Sequence, residues 1–147
     1  MFGLVDRALA LTPSFARGWF ISGVLRLWAG QHDLAIEHAK TALRLSPRDR
    51  SGTPFSLIGE ARFYKHEFGE AVAQLLFAIH NHPGFPHSLQ VLAACYGQMG
   101  RLEEARTIVT RVQSITTLIL PSVAHLRRSE DRELLLSGMR IALEAPP

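Results

Sequence analysis

The sequence is short of cysteine: Cys95 is alone among 147 residues, which excludes an internal disulfide framework and a thiolate-rich zinc site. Lysine is nearly as scarce. Lys40 and Lys65 stand beside 14 arginines, and 16 cations against 13 anions leave a net charge of only +3. The basic residues are scattered, with local pairs at Arg48/Arg50 and Arg127/Arg128, so no stretch concentrates the charge that a nucleic-acid binder uses. No apolar run approaches the roughly 18 residues of a membrane span. Ala71–Ile79 and Ile115–Ala124 are interrupted by Gln74 and Pro121. The N-terminus lacks the basic flank and small-residue cleavage site of a secretory signal. Alternating strands bounded by hairpin turns are missing as well. What remains is 47% hydrophobic and 20% charged, enough to bury a core. The expectation is a cytoplasmic chain with neither a membrane segment nor a nucleic-acid partner.

Self-similarity is what the sequence does have. Pro13, Pro47 and Pro83 follow apolar helical patterns at spacings of 34 and 36. Ala35, Ala71 and Ala105 recur at 36 and 34, and Gly23, Gly59 and Ala93 at the same intervals. Small residues at fixed places in a 34-residue period mark helices whose backbones approach closely, where a larger side chain would overpack the contact. Two stripes of helical period support this: Trp19, Ser22, Gly23, Arg26 and Leu27, and Leu102, Ala105, Ile108, Val109 and Val112. Gly30 to Asp33 and Gly100-Arg101 read as turns within helix pairs, and the three prolines as stops.

These residues resemble tetratricopeptide repeats. Residues 16–49 carry Trp19, Gly23, Ala35, Ala42 and Pro47 at the positions of the repeat pattern. Residues 52–85 carry Phe55 in place of the tryptophan, then Gly59, Ala71, Ala78 and Pro83. Residues 86–119 keep Ala93, Tyr96, Gly100 and Ala105 but have Thr117 where the closing proline falls. Arg26 and Arg62 take the place of the aromatic that Tyr96 represents. The resemblance implies an all-α fold, an α-solenoid of antiparallel helix pairs forming a single domain over 1–147. Residues 1–13 match the second half of a repeat whose first half is absent, so the chain reads as part of a longer protein. Residues 129–144 read as a C-terminal capping helix, with Ser129 as its N-cap and Leu135, Met139 and Ala142 as its apolar stripe.

A narrower likeness rests on Arg17-Gly18-Trp19 through Gly30, on Leu34 to His38, on Leu92 to Leu102 and on the tail from Leu126 to Arg140. Together these segments resemble the C-terminal repeat region of bacterial class III adenylate/guanylate cyclases and of related winged-helix regulators. The resemblance implies a catalytic or DNA-binding domain ahead of the repeats, and no catalytic residue in the repeats themselves. It makes this segment a non-catalytic interaction and regulatory module.

No constellation of reactive groups argues otherwise. His80, His82 and His87 flank the Pro83–Pro86 turn, but their spacing does not put them on one helix face and no thiolate or carboxylate is near in sequence. They read as a solvated turn, and His32, His38, His66 and His125 as isolated. Cys95 lies in an apolar helix and reads as a buried thiol, and Glu60, Glu67 and Glu70 as solvated carboxylates. No glycine-rich phosphate loop is present, and no cofactor is expected.

The resemblance implies a concave surface built by the first helix of each pair. By repeat position it takes in Arg17, Phe20, Val24, Leu27 and Trp28 from the first repeat. Thr53, Ser56, Glu60, Phe63 and Tyr64 come from the second, and His87, Gln90, Ala94 and Gln98 from the third. Phe20, Val24 and Leu57 occupy the positions of the family's Lys/Asn/Arg carboxylate clamp, so a C-terminal carboxylate is not the expected ligand. The expected partner is a protein or peptide with aromatic or aliphatic anchors. Val24, Leu27 and Phe63 have a second reading as core. A rival role is homodimerisation through the front helix, where Phe2, Leu4, Val5 and Leu9 have no partner in the sequence.

Overall fold

The computed structural model describes residues 2–146. Among them are eight helices and no strand: α1 (Phe2–Leu11), α2 (Ala16–Trp28), α3 (His32–Leu45), α4 (Thr53–Tyr64), α5 (Phe68–Asn81), α6 (Pro86–Gln98), α7 (Leu102–Ile115) and α8 (Ser129–Glu144). The chain is thus an α-solenoid, with α2–α3, α4–α5 and α6–α7 as its pairs. None of the helices is long and apolar enough to cross a membrane. α1, α3 and α5 each end two residues before a proline, at Leu11, Leu45 and Asn81. A proline cannot continue the helix because it disfavours helical geometry in the residue before it.

Inside each pair the small residues let the backbones meet. A Cβ on Gly23 would lie 3.2 Å from the Ala35 carbonyl oxygen, and one on Gly59 would lie 3.3 Å from that of Ala71. Ala93 and Ala105 are both fully buried in the third pair. The turns within the pairs share one geometry. Gln31, Glu67 and Arg101 donate their amides to the carbonyls of Arg26, Arg62 and Tyr96, five residues back, closing the first helix of each pair. The closure needs a left-handed residue, supplied by Gly30 (φ +85°), His66 (φ +61°) and Gly100 (φ +73°).

The same turns explain the arginines that replace the repeat's aromatic. Arg26 Nη1 donates to Gln31 Oε1 at 3.0 Å and Arg62 Nη1 to Glu67 Oε2 at 2.7 Å. In the third pair the roles reverse, and the Arg101 guanidinium lies over the Tyr96 ring at 4.9 Å. Each repeat joins residue i to residue i+5 across its turn with a different pair of side chains.

The stack curves toward its first helices. α2 approaches α4 and α4 approaches α6, whereas no Cα of α3 comes within 8 Å of α5, nor any of α5 within 8 Å of α7. The concave face is therefore that of α2, α4 and α6. α1 packs only on α2, burying Leu9 against Gly18.

The C-terminal helix α8 spans the expected residues 129–144 but does not pack as a further helix of the stack would. A helix extending the stack would rest mainly on α7, as α4 does on α3. α8 rests mainly on α6 instead, and its N-terminal end reaches back to the first repeat. His32 Nε2 lies 2.8 Å from Asp131 Oδ2, both side chains buried, and the His32 ring stacks on Tyr64. The Arg127 amide donates to the Trp28 carbonyl at 2.9 Å. Ser129 is the first residue of α8, and the cap position is Arg128, which makes no side-chain capping bond. Leu126, Leu135 and Met139 are fully buried. At about 1.5–3 kcal/mol for each such side chain, the segment is a fixed part of the fold.

Candidate functional site

The C-terminal segment decides which part of the concave face is open. Gln90 Nε2 donates to the Leu118 and Ile119 carbonyls at 2.9 and 3.2 Å. Gln98 Nε2 donates to the Leu134 carbonyl at 3.0 Å and to Ser137 Oγ at 2.8 Å. Repeat position assigns both glutamines to a partner. They hold the chain's own backbone instead, and the third repeat's concave face is covered. Ala94 is buried beneath α8.

The open part is a cavity of about 290 Å³ between the first two repeats and the covering segment. Phe20, Val24, Leu27 and Trp28 of α2 form one wall. Thr53, Ser56, Leu57 and Glu60 of α4 form the floor, and Phe85, His87 and His125 close the far side. The Trp28 and His125 rings pack with centroids 5.0 Å apart, which seats the covering segment on α2. A shallower depression of about 360 Å³ continues past Phe85, His87 and His125 along Leu118, Leu120 and Pro121. Leu118 and Leu120 are exposed.

The floor of the cavity holds charge. Glu60 is buried, not solvated as its sequence setting implies. Its Oε1 accepts from the Tyr64 hydroxyl at 2.9 Å, and its Oε2 lies 2.8 Å from His87 Nε2. Burial alone would raise the Glu60 carboxyl. The charge and hydrogen bond of His87, with that of Tyr64, outweigh it and hold the group below its ordinary 4.5. The Glu60 carboxylate raises His87 above 6.5 against the opposing effect of burial. Burial, followed by the charge and hydrogen bond of Glu60, pushes the Tyr64 phenol well up. Burial lowers His125, so its ring is neutral near pH 7. The pair is a carboxylate and an imidazole whose charged form that carboxylate favours, facing a mostly apolar space.

Other expected positions separate from this site. Phe63 is fully buried in the core, packed edge-on to Tyr64, and does not line the cavity. Tyr64 is buried and reaches the site only through Glu60. Leu27 lines the cavity but is itself core. Arg17 is exposed and borders a separate depression with Phe20, Ser46 and Asp49. On α1, Leu4 is exposed, Phe2 and Val5 are half-buried, and Leu9 faces inward. The Phe2 ring lies under the Arg26 guanidinium at 4.1 Å.

His87 is joined by a carboxylate after all, and His32 and His125 are not isolated. Their partners, Glu60, Asp131 and Trp28, lie 27, 99 and 97 residues away in sequence, beyond any local spacing rule. Ser22 Oγ lies 2.9 Å from His38 Nδ1, but Ser22 is buried and the pair cannot meet a substrate. Cys95 is buried, and burial with the Glu60 charge raises its thiol far from the reactive range. Among the described residues no group of three or more His, Cys, Asp or Glu could hold a metal ion.

The fold is that of tetratricopeptide-repeat proteins. The chain is similar to MamA at 20% identity and a TM-score of 0.68, over 96% of this chain and 84% of that one. It is similar to TTC0263, a thermophilic TPR protein of Thermus thermophilus, at 22% identity and a TM-score of 0.68, over 98% and 80%. It is also similar to YrrB, described as a TPR protein with an unusual peptide-binding site, at 18% identity and a TM-score of 0.63, over 95% and 75%. No family model and no curated protein matches the chain.

Proposed function

We propose that this chain is a non-catalytic protein-interaction module that binds a peptide segment across the open half of its concave face. The supporting observation is the cavity of about 290 Å³ walled by Phe20, Val24 and Trp28, the part of that face its own C-terminal segment leaves uncovered. An anchor side chain with apolar surface enters the cavity, and the flanking peptide follows the apolar rim past Phe85 and Leu118. The rigid helix pairs keep the ordering entropy of binding low. The peptide-binding site of YrrB, a protein of the same fold, favours this reading. On the same proposal, the likeness to cyclase and winged-helix regulators favours a cytoplasmic bacterial signalling protein as the module's setting.

A random peptide array probed with the wild type tests this. Filling the cavity with Ser56→Leu, or charging its wall with Val24→Asp, is expected to weaken the selected peptides about tenfold or more. Arg17→Ala, on the separate depression, is expected to leave them bound. Binding that survives both cavity variants would end the reading.

A second reading is self-association through α1, favoured by the exposure of Leu4 and Leu11, each about four-fifths accessible. Light scattering on wild type and on Leu4→Ser/Leu11→Ser decides it. A wild type that is monomeric at every concentration excludes it.

A further inference from the structure

Glu60 is an expensive residue to keep where it is. A carboxylate shut into an apolar site is strongly disfavoured unless it is paired and hydrogen-bonded. α4 of this chain could have carried an apolar residue there, as the nearby buried positions Leu57 and Ala61 do. Its counter-charge is also unusual. His87 is the one imidazole on Glu60; its side chain is 30% exposed at the cavity edge, whereas that of Glu60 is 7% exposed. No lysine or arginine lines the cavity. A carboxylate accepts about four hydrogen bonds, and Glu60 uses two, to Tyr64 and His87. The walls above it are the aromatic side chains of Phe20, Trp28 and Phe85, whose ring faces attract a cation.

We propose that the anchor taken by this cavity is a basic side chain of the partner peptide, lysine or arginine, with its alkyl stem on Phe20, Val24 and Trp28 and its charged end at the Glu60 carboxylate. This rests on the peptide-binding reading and specifies the partner's chemistry. The stem satisfies the apolar walls and the head satisfies the floor, as long basic side chains do when they bury a stem and place a charge at its end. The incoming cation replaces His87 as the counter-charge of Glu60. Binding therefore releases the His87 proton to solvent, and affinity rises with pH, up to about tenfold per unit, until His87 is neutral in the free protein. The groups facing His87 are Glu60 from α4, whose other oxygen accepts from Tyr64, His125 from the covering segment and, behind the Phe85 ring, His82. His125 is held neutral by burial and does not mirror this dependence at neutral pH.

The test titrates the full chain with three small probes of one length, n-pentylamine, 1-pentanol and pentanoate, followed by side-chain NMR shifts of Trp28 and Phe20. The amine is expected to bind tightest, to bind more tightly at pH 8 than at pH 6, and to bind about tenfold more weakly to Glu60→Gln. In His87→Gln, which removes the competing imidazolium, it is expected to bind more tightly than to wild type and without the pH dependence. A Glu60→Gln chain that fails to fold leaves the His87→Gln comparison to decide. Equal binding of amine and alcohol, or tighter binding at pH 6, overturns the basic anchor while leaving an apolar one. Shifts from none of the three probes overturn both this inference and the anchor reading beneath it.

Discussion

Gly138 of α8 stands so close to Ala94 of α6 that a Cβ on the glycine would lie 2.7 Å from the Ala94 carbonyl oxygen. Gly97 of α6 meets the Gly138 backbone in return. The obstruction on both sides is main chain, which cannot swing aside as the tip of a side chain can. Gly138→Ala is therefore expected to destabilise by about 1–3 kcal/mol, despite alanine's better helix propensity. Thermal melting followed by circular dichroism reads this as a drop of about 2–4 °C per kcal/mol for a chain of this size. Gly69→Ala, where no atom lies within 4 Å, is the control and should not lower the melting point.

His66 holds the left-handed position that Gly30 and Gly100 hold in the other two turns. A residue with a Cβ is strained there by about 1–2 kcal/mol. His66 also packs on Phe68, with ring centroids 5.5 Å apart, which offsets part of the strain. His66→Gly is expected to stabilise by roughly 1 kcal/mol, because relief of the strain exceeds the stabilisation that the two rings give each other. Urea denaturation at fixed pH would show this as a higher midpoint with an unchanged slope. A lower midpoint would mean that the Phe68 packing outweighs the strain.

The buried His32–Asp131 contact ties the first repeat to α8 across 99 residues of sequence. Asp131→Ala leaves the buried His32 ring without its hydrogen-bond partner and is expected to cost about 1–3 kcal/mol, the scale for an unsatisfied buried polar group. The effect should be local. Hydrogen exchange is expected to quicken in α8 and in 116–128, while α4 and α5 keep their protection. Uniform quickening along the chain would show instead that the stack and its covering segment unfold as one unit.

The repeat architecture is legible in the sequence because it is written in a period. Gly23 and Gly59, Ala35 and Ala71, Pro47 and Pro83 each mark one physical necessity at a fixed interval, and each structural counterpart lies where the interval puts it. The covering segment is not legible, because nothing in it repeats. Its helix can be placed from Leu135, Met139 and Ala142, but the surface it covers depends on Gly97 and Gly138 meeting and on Asp131 finding His32. No spacing rule joins residues so far apart. This is why Gln90 and Gln98 read as facing a partner: repeat position puts them on the concave side correctly, and only the path of 116–144 shows what covers them. Glu60 is misread for a related reason. A glutamate on a helix is ordinarily solvated, and the observation that buries it is His87 on the next repeat. Repeat position puts Phe20, Val24 and Trp28 on the side of the first helices as well, and it is again the path of 116–144 that leaves the cavity they line uncovered.

The Glu60–His87 pair should make stability depend on pH from both sides. His87 is raised above 6.5 in the folded chain, chiefly by the Glu60 charge, so its contribution is complete below 6.5 and is lost as pH rises through the raised value. Glu60 lies below 4.5 because the His87 charge and two hydrogen bonds outweigh burial, so its contribution is complete above 4.5 and is lost as pH falls through the lowered value. The pair therefore stabilises most between 4.5 and 6.5. Comparing the wild type with His87→Gln reads the pair, with His125, lowered chiefly by burial and less by the His87 charge, acting in the opposite sense. The stability difference from urea unfolding is expected to be largest near the middle of that window and to shrink as pH rises through the raised value of His87. A difference that stays constant across that range would mean that His87 joins Glu60 as a neutral hydrogen-bond donor. The cavity would then carry an uncompensated carboxylate at neutral pH, and a cation binding there would displace no proton.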